Sequence, residues 1–176
     1  MVSFRRRGLR LGVVLLTTAL LASQASAQTP RTKPFPSAPR ARTALFAPQT
    51  LDSLAQALRE AGYPAQIERD ETAAWVVARV SLTRFRVYLL GCDTPGRPCS
   101  AEFLAGYDLD APLEPDVINL WNLDRRFAKV AVDGQGDPYL QMDVNFYGGV
   151  SWANFLDTLD WWRIAVEEFE RVAGWR

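Results

Sequence analysis

Two cysteines and 20 acidic side chains carry most of the chemistry available to this 176-residue chain, which contains no histidine. The missing imidazole removes the usual general base, the commonest metal ligand and every Ser-His-Asp or Cys-His arrangement. Cys92 and Cys99 enclose Asp-Thr-Pro-Gly-Arg-Pro, whose proline and glycine residues turn the chain and bring the sulfurs together. In an oxidising compartment such a pair closes into a disulfide. A loop this short stabilises by roughly 2–3 kcal/mol on the chain-entropy argument. The spacing is not the C-x-x-C that tunes a thiolate, and two cysteines do not fill a structural zinc tetrahedron. The pair reads as a staple.

The carboxylates form no recognisable catalytic set. Asp133, Asp137 and Asp143 lack the alternating acids and distal glutamate of an EF-hand loop, so they read as a hairpin turn and a strand edge. Asp108/Asp110 and Glu167/Glu168 read as solvated faces. No catalytic residue, cofactor or metal site is assigned. Tryptophan is more informative. Trp152, Trp161, Trp162, Trp175 and Trp121 supply core material. Trp161 and Trp162, being adjacent, cannot point the same way, so one of them faces solvent and marks a binding surface. Trp161, Trp162 and Trp175 are the candidate partner-binding residues.

The N-terminal segment sets the compartment. Arg5, Arg6, Arg7 and Arg10 precede an apolar run from Leu11 to Ala22 and then Ala25-Ser26-Ala27. That order is a secretory signal peptide over 1–27, cleaved after Ala27. Its apolar run falls short of the roughly 20 residues that span a bilayer, so no transmembrane segment is expected after cleavage. Residues 28–44 begin QTPRTKPFPSAPRAR, a proline-rich basic linker that resists both helix and ladder hydrogen bonding and is expected to be disordered. The expected location is periplasmic or secreted.

From Thr43 onward the chain holds 12 basic and 20 acidic residues, a net charge of −8. Nucleic-acid binding, which rests on Lys and Arg neutralising phosphates, is excluded. Residues 45–176 are long enough for one packed domain.

Leu51, Leu54, Ala55 and Leu58 recur at helical spacing over about 50–61, between a Thr50 cap and the Gly62 stop. Extended stretches follow at 65–68 and 73–80, and Phe85, Val87 and Leu89 alternate with a polar outer set of Arg84, Arg86 and Tyr88. Another strand runs through Phe103 to Tyr107. A second helix over 115–125 carries Val117, Leu120 and Trp121 on one face. Strands at 127–132 and 139–146 flank Asp133-Gly134-Gln135-Gly136-Asp137, a hairpin connection. Ser151 caps a long last helix whose stripe runs Trp152, Phe155, Leu159, Trp162, Val166, Phe169 and Ala173. The expected fold is α+β, an antiparallel sheet of five to six strands flanked by three helices.

Asn119-Leu120-Trp121-Asn122, then Arg126-Phe127-Ala128-Lys129, a hairpin into Asp143-Val144, and Gly149-Val150-Ser151 opening an aromatic helix together resemble the YbjN family over about 45–172. The resemblance implies a fold similar to type III secretion chaperones, often able to pair, in a family described as bacterial sensory transduction regulators with no catalytic residues to carry over. Asn119, Trp121, Asn122, Arg126, Phe127, Gly149 and Ser151 are then structural, with Trp121 in the core and the asparagines bonding backbone around the second helix. Such proteins work in the cytoplasm, whereas the leader sends this one outside. The sequence therefore describes an exported, non-enzymatic module that binds an unidentified protein or peptide, with a homodimer as one arrangement. The alternatives are a carboxylate-type glycan-active enzyme and a small inhibitor of an envelope-attacking enzyme.

Overall fold

A computed structural model describes residues 41–91 and 100–176. The expected leader, most of the linker and the Cys92–Cys99 pair lie outside the described residues. The last linker residues do not float free. Arg42 and Ala44 accept hydrogen bonds through their carbonyls from the backbone N–H groups of Ala153 and Trp152. The chain then forms β1 (Leu45–Phe46), which pairs antiparallel with β8 (Val150–Ser151). This two-stranded sheet was not legible from alternation, because two residues are too few to show a period.

Between them lie α1 (Leu51–Glu60), β2 (Gln66–Arg69), β3 (Ala74–Val80), β4 (Thr83–Leu90), β5 (Ser100–Gly106), α2 (Pro115–Asp124), β6 (Lys129–Val132) and β7 (Pro138–Asn145). The final helix, α3, spans Trp152–Ala173. The main sheet has six antiparallel strands in the order β2-β3-β4-β5-β7-β6, so the architecture is α+β.

Each strand alternates between two environments, as the period of two demands. Val76, Ala78, Phe85, Val87, Phe103, Leu140 and Met142 face inward and are buried with α1 and α3. Helix α1 starts at a reciprocal cap in which Thr50 and Ser53 exchange side-chain and backbone hydrogen bonds. Helix α3 starts at Ser151, whose Oγ accepts from the Asn154 N–H, and stops at Gly174 in the left-handed region. Its predicted stripe is the core: Trp152, Phe155, Leu159, Trp162, Val166 and Phe169 are all buried.

A buried carboxylate ties α3 to the β3–β4 turn. Glu170 accepts from Ser81 Oγ and Thr83 Oγ1, each at 2.6 Å, and from the Leu82 N–H at 3.1 Å. Ser81 sits at φ 52°, a left-handed position that is costly for a side-chain-bearing residue. The Glu170 bonds offset that cost.

The β6–β7 connection is the expected hairpin. Asp133 Oδ1 accepts from the N–H groups of Gln135 and Asp137, so Asp133 forms the turn, while the Asp137 carboxylate accepts a long bond from the Leu109 N–H at 3.4 Å. Strand β6 is two residues shorter than expected because the Ala128 carbonyl is taken by the Trp121 indole rather than by a strand.

Candidate functional site

Two surfaces stand out, and each follows from how the elements sit. The first is the apolar edge where α2 meets α3. Helix α2 turns Trp121 inward, and the Trp121 Nε1–H donates to Ala128 O at 3.1 Å. Asn122 follows it. Its Oδ1 accepts the Val130 N–H at 2.8 Å and its Nδ2 donates to Val130 O at 3.0 Å. The side chain thus gives the edge strand β6 the pairing that a seventh strand would otherwise supply. Lys129 Nζ closes the joint from the other side, donating to the Asn122 and Arg125 carbonyls at 2.7 Å. Cations belong at this C-terminal end of α2.

With Trp121 fixed inward, the rest of α2 has no choice of direction. Leu120 and Leu123 point away from the sheet, 58% and 81% exposed, while Val117, one turn before Trp121 on the same side, sits at the margin. The expected common face for Val117, Leu120 and Trp121 therefore splits, with Trp121 buried, Val117 beside it at the margin and Leu120 outside. Beyond the helix, the exposed Phe127 ring lies 5.1 Å from Trp161 on α3. These two rings, with Ile164 and Ala165, line a hollow of about 180 Å³ rimmed by Asp124, Arg126 and Glu168. Arg125 reaches across it to Glu168 at 3.2 Å and stacks 5.1 Å above Trp121.

The three tryptophans singled out by sequence separate here. Trp161 is 39% exposed and lines the hollow. Trp162 is fully buried between Phe85 and Phe103, so its place among partner-binding residues is corrected. Trp175 packs edge-on against Tyr107, partly buried against the core.

The family-motif residues divide likewise. Trp121 and Asn122 join α2 to β6, Ser151 caps α3, and Gly149 adopts φ 80° beside Leu45. Arg126 stacks on Phe127 at 5.2 Å. Asn119 departs from expectation: it is exposed and makes no side-chain hydrogen bond among the described residues.

The second surface is the face of the sheet that no helix covers. One cross-strand row reads Gln66, Val77, Arg86, Leu104, Gln141 and Lys129, one residue from each strand. A trough of about 390 Å³ lies across it, with Val77, Leu104 and Gly106 below and Glu68, Arg84, Arg86 and Tyr139 around. Arg84 is paired with Glu68 at 2.7 Å. Arg86 stacks 4.7 Å above Trp75 and donates a long bond, 3.4 Å, to Tyr88. Sequence alternation identified Arg84, Arg86 and Tyr88 as outward-facing; the depression itself had no local signal.

Of the acid pairs flagged by sequence, Asp108 and Asp110 are exposed, and the other two acids are each held by an arginine. Glu167 accepts from Arg163 and Glu168 pairs with Arg125. Among the described residues no group of three His, Cys, Asp or Glu side chains could hold a metal ion, and no helix is long and apolar enough to cross a membrane.

A helix-backed antiparallel sheet with an exposed apolar edge and an open second face has the layout of a regulatory or binding module. The chain belongs to the YbjN family, whose model, described as "Putative bacterial sensory transduction regulator", matches residues 50–174. Among curated proteins, none matches the chain.

Proposed function

We propose that this protein is an exported, non-catalytic regulatory module that binds a protein segment at the α2–α3 edge. The observation that carries the reading is the outward set Leu120, Leu123, Phe127 and Trp161, left in water although the fold has a well-filled core. Covering one such side chain contributes about 1.5–3 kcal/mol, and a half-exposed tryptophan beside a hollow is the usual kind of binding hot spot.

The charge at the ends of α2, rather than the mixed rim of the hollow, specifies the partner's chemistry. Asp116 and Asp124 lie at either end of the α2 stripe, both exposed, on a domain of net charge −8. A segment with apolar residues along one face and Lys or Arg beside them fits. Antiparallel pairing of two copies through α2 would set Asp116 against Asp124, acid against acid, so a different protein is the better occupant. Export is supported by the signal-peptide pattern of residues 1–27 and the two-cysteine loop.

The test is a photo-crosslinking residue at Leu123 in the full-length protein in bacterial cells, with fractionation and mass measurement of the product. We expect a periplasmic species lacking residues 1–27, with both thiols oxidised. It should form one reproducible heterologous adduct that Trp161→Ala abolishes. A cytosolic, uncut species overturns export. An adduct only between copies, or one indifferent to Trp161→Ala, overturns the proposed partner.

A further inference from the structure

We infer that the trough on the open sheet face is a separate binding site for a small monocarboxylate with an apolar body. Three arginines, Arg79, Arg84 and Arg86, share this face, and Arg79 stands directly opposite Arg84 in the β3–β4 register. Like charges directly opposite one another weaken a sheet, so folding alone does not account for them. Their partners differ. Arg79 donates to the Leu82 carbonyl and Arg84 is neutralised by Glu68. Arg86 has no carboxylate within ion-pair distance among the described residues, and its stem and guanidinium are held over Trp75. A guanidinium presents five donors in a fixed fork suited to a carboxylate, and Arg86 uses one of them in a single long bond. Arg86 is thus the one guanidinium of the trough with no carboxylate in direct contact among the described residues, Glu68 being taken by Arg84 and Asp70 acting on Arg86 only at longer range.

Its shape gives the rest of the ligand. Gly106, the last residue of β5, lies opposite Tyr139 at the end of the β5–β7 ladder. Its φ is not positive, and a Cβ built there meets nothing within 4 Å, so neither backbone strain nor crowding calls for glycine. With no side chain at this position, the floor of the trough is open down to the backbone. Val77 and Leu104 beside it offer apolar contact, and about 390 Å³ falls in the range of small-molecule sites. The carboxylate goes to Arg86, with Arg84 adjacent, and the apolar body lies over Gly106.

Octanoate is the probe and octanamide its neutral control, titrated against the full chain by Trp75-dependent fluorescence, with Trp75→Phe as the blank, and by calorimetry. Expected are saturable octanoate binding, at least about tenfold weaker binding of octanamide, and a similar loss in Arg86→Gln. Gly106→Val should abolish binding while leaving the melting temperature unchanged or raised, because valine suits a strand and the site is open. No saturation up to about 10 mM overturns the proposal. So does equal affinity for octanamide, or undiminished binding to Gly106→Val. Binding of a tripeptide ending in an aliphatic residue at least about tenfold tighter than octanoate would overturn the small-molecule assignment and transfer the site to a peptide terminus.

Discussion

Removing the Asn122 side chain should loosen the joint on which the α2 surface depends. Asn122→Ala deletes two hydrogen bonds, at 2.8 and 3.0 Å, and leaves the N–H and C=O of Val130, a buried residue, with neither strand nor side chain opposite. A neutral bond contributes about 0.5–1.5 kcal/mol net, and a buried group left unsatisfied costs about 1–3 kcal/mol. Partial entry of water beside this edge strand tempers the sum, so a loss of about 2–4 kcal/mol is expected. For a domain of this size that corresponds to a fall in melting temperature of roughly 6–15 °C. Asn122→Asp keeps the acceptor for the Val130 N–H but sets a carboxylate against the Val130 carbonyl, and should lose at least half as much. The assays are urea and thermal denaturation, with amide exchange read at Val130. A melting temperature within about 2 °C of the wild type, together with undiminished protection at Val130, would refute the claim that this side chain substitutes for a strand.

Two neighbouring tryptophans should respond oppositely to truncation. Trp162→Ala empties a fully buried site between Phe85 and Phe103 and should cost about 3–5 kcal/mol, whereas Trp161→Ala, at a half-exposed site, should cost under about 1 kcal/mol; chemical denaturation separates them. Asp70 provides a pH signature. It accepts from the Thr72 N–H, the Thr72 hydroxyl and the Ala73 N–H, and these bonds hold its carboxyl below the usual aspartate value. A folded-state pKa depressed in this way stabilises above the unfolded value, about 3.9, and the contribution fades as pH falls through the folded value. The stability gap between wild type and Asp70→Ala should therefore narrow from pH 5 downward. A carboxyl titration by NMR at or above 3.9 would contradict it.

What the sequence determined by itself was set by local rules. The 3.6-residue stripe of α3, the alternation of β4, the Ser151 cap and the Asp133–Asp137 turn are each written in residues a few positions apart, and each is present in the fold. The absence of histidine likewise excluded whole classes of chemistry before any geometry was known. The two-residue strands β1 and β8 carried no period to read.

Tertiary structure decided the questions of direction. Helix α2 holds apolar residues on both sides, so nothing local says which side meets the sheet. The answer lies in Trp121 and Asn122 bonding to Ala128 and Val130, and only then are Leu120 and Leu123 outside. Glu170 could be read as one more polar residue on α3 until the β3–β4 turn, nearly 90 residues earlier, is seen to surround its carboxylate. The trough over Gly106 exists because five strands align in one register. Periodicity fixes which residues share a face; which face is covered, and what it leaves open to a ligand, depends on partners distant in sequence.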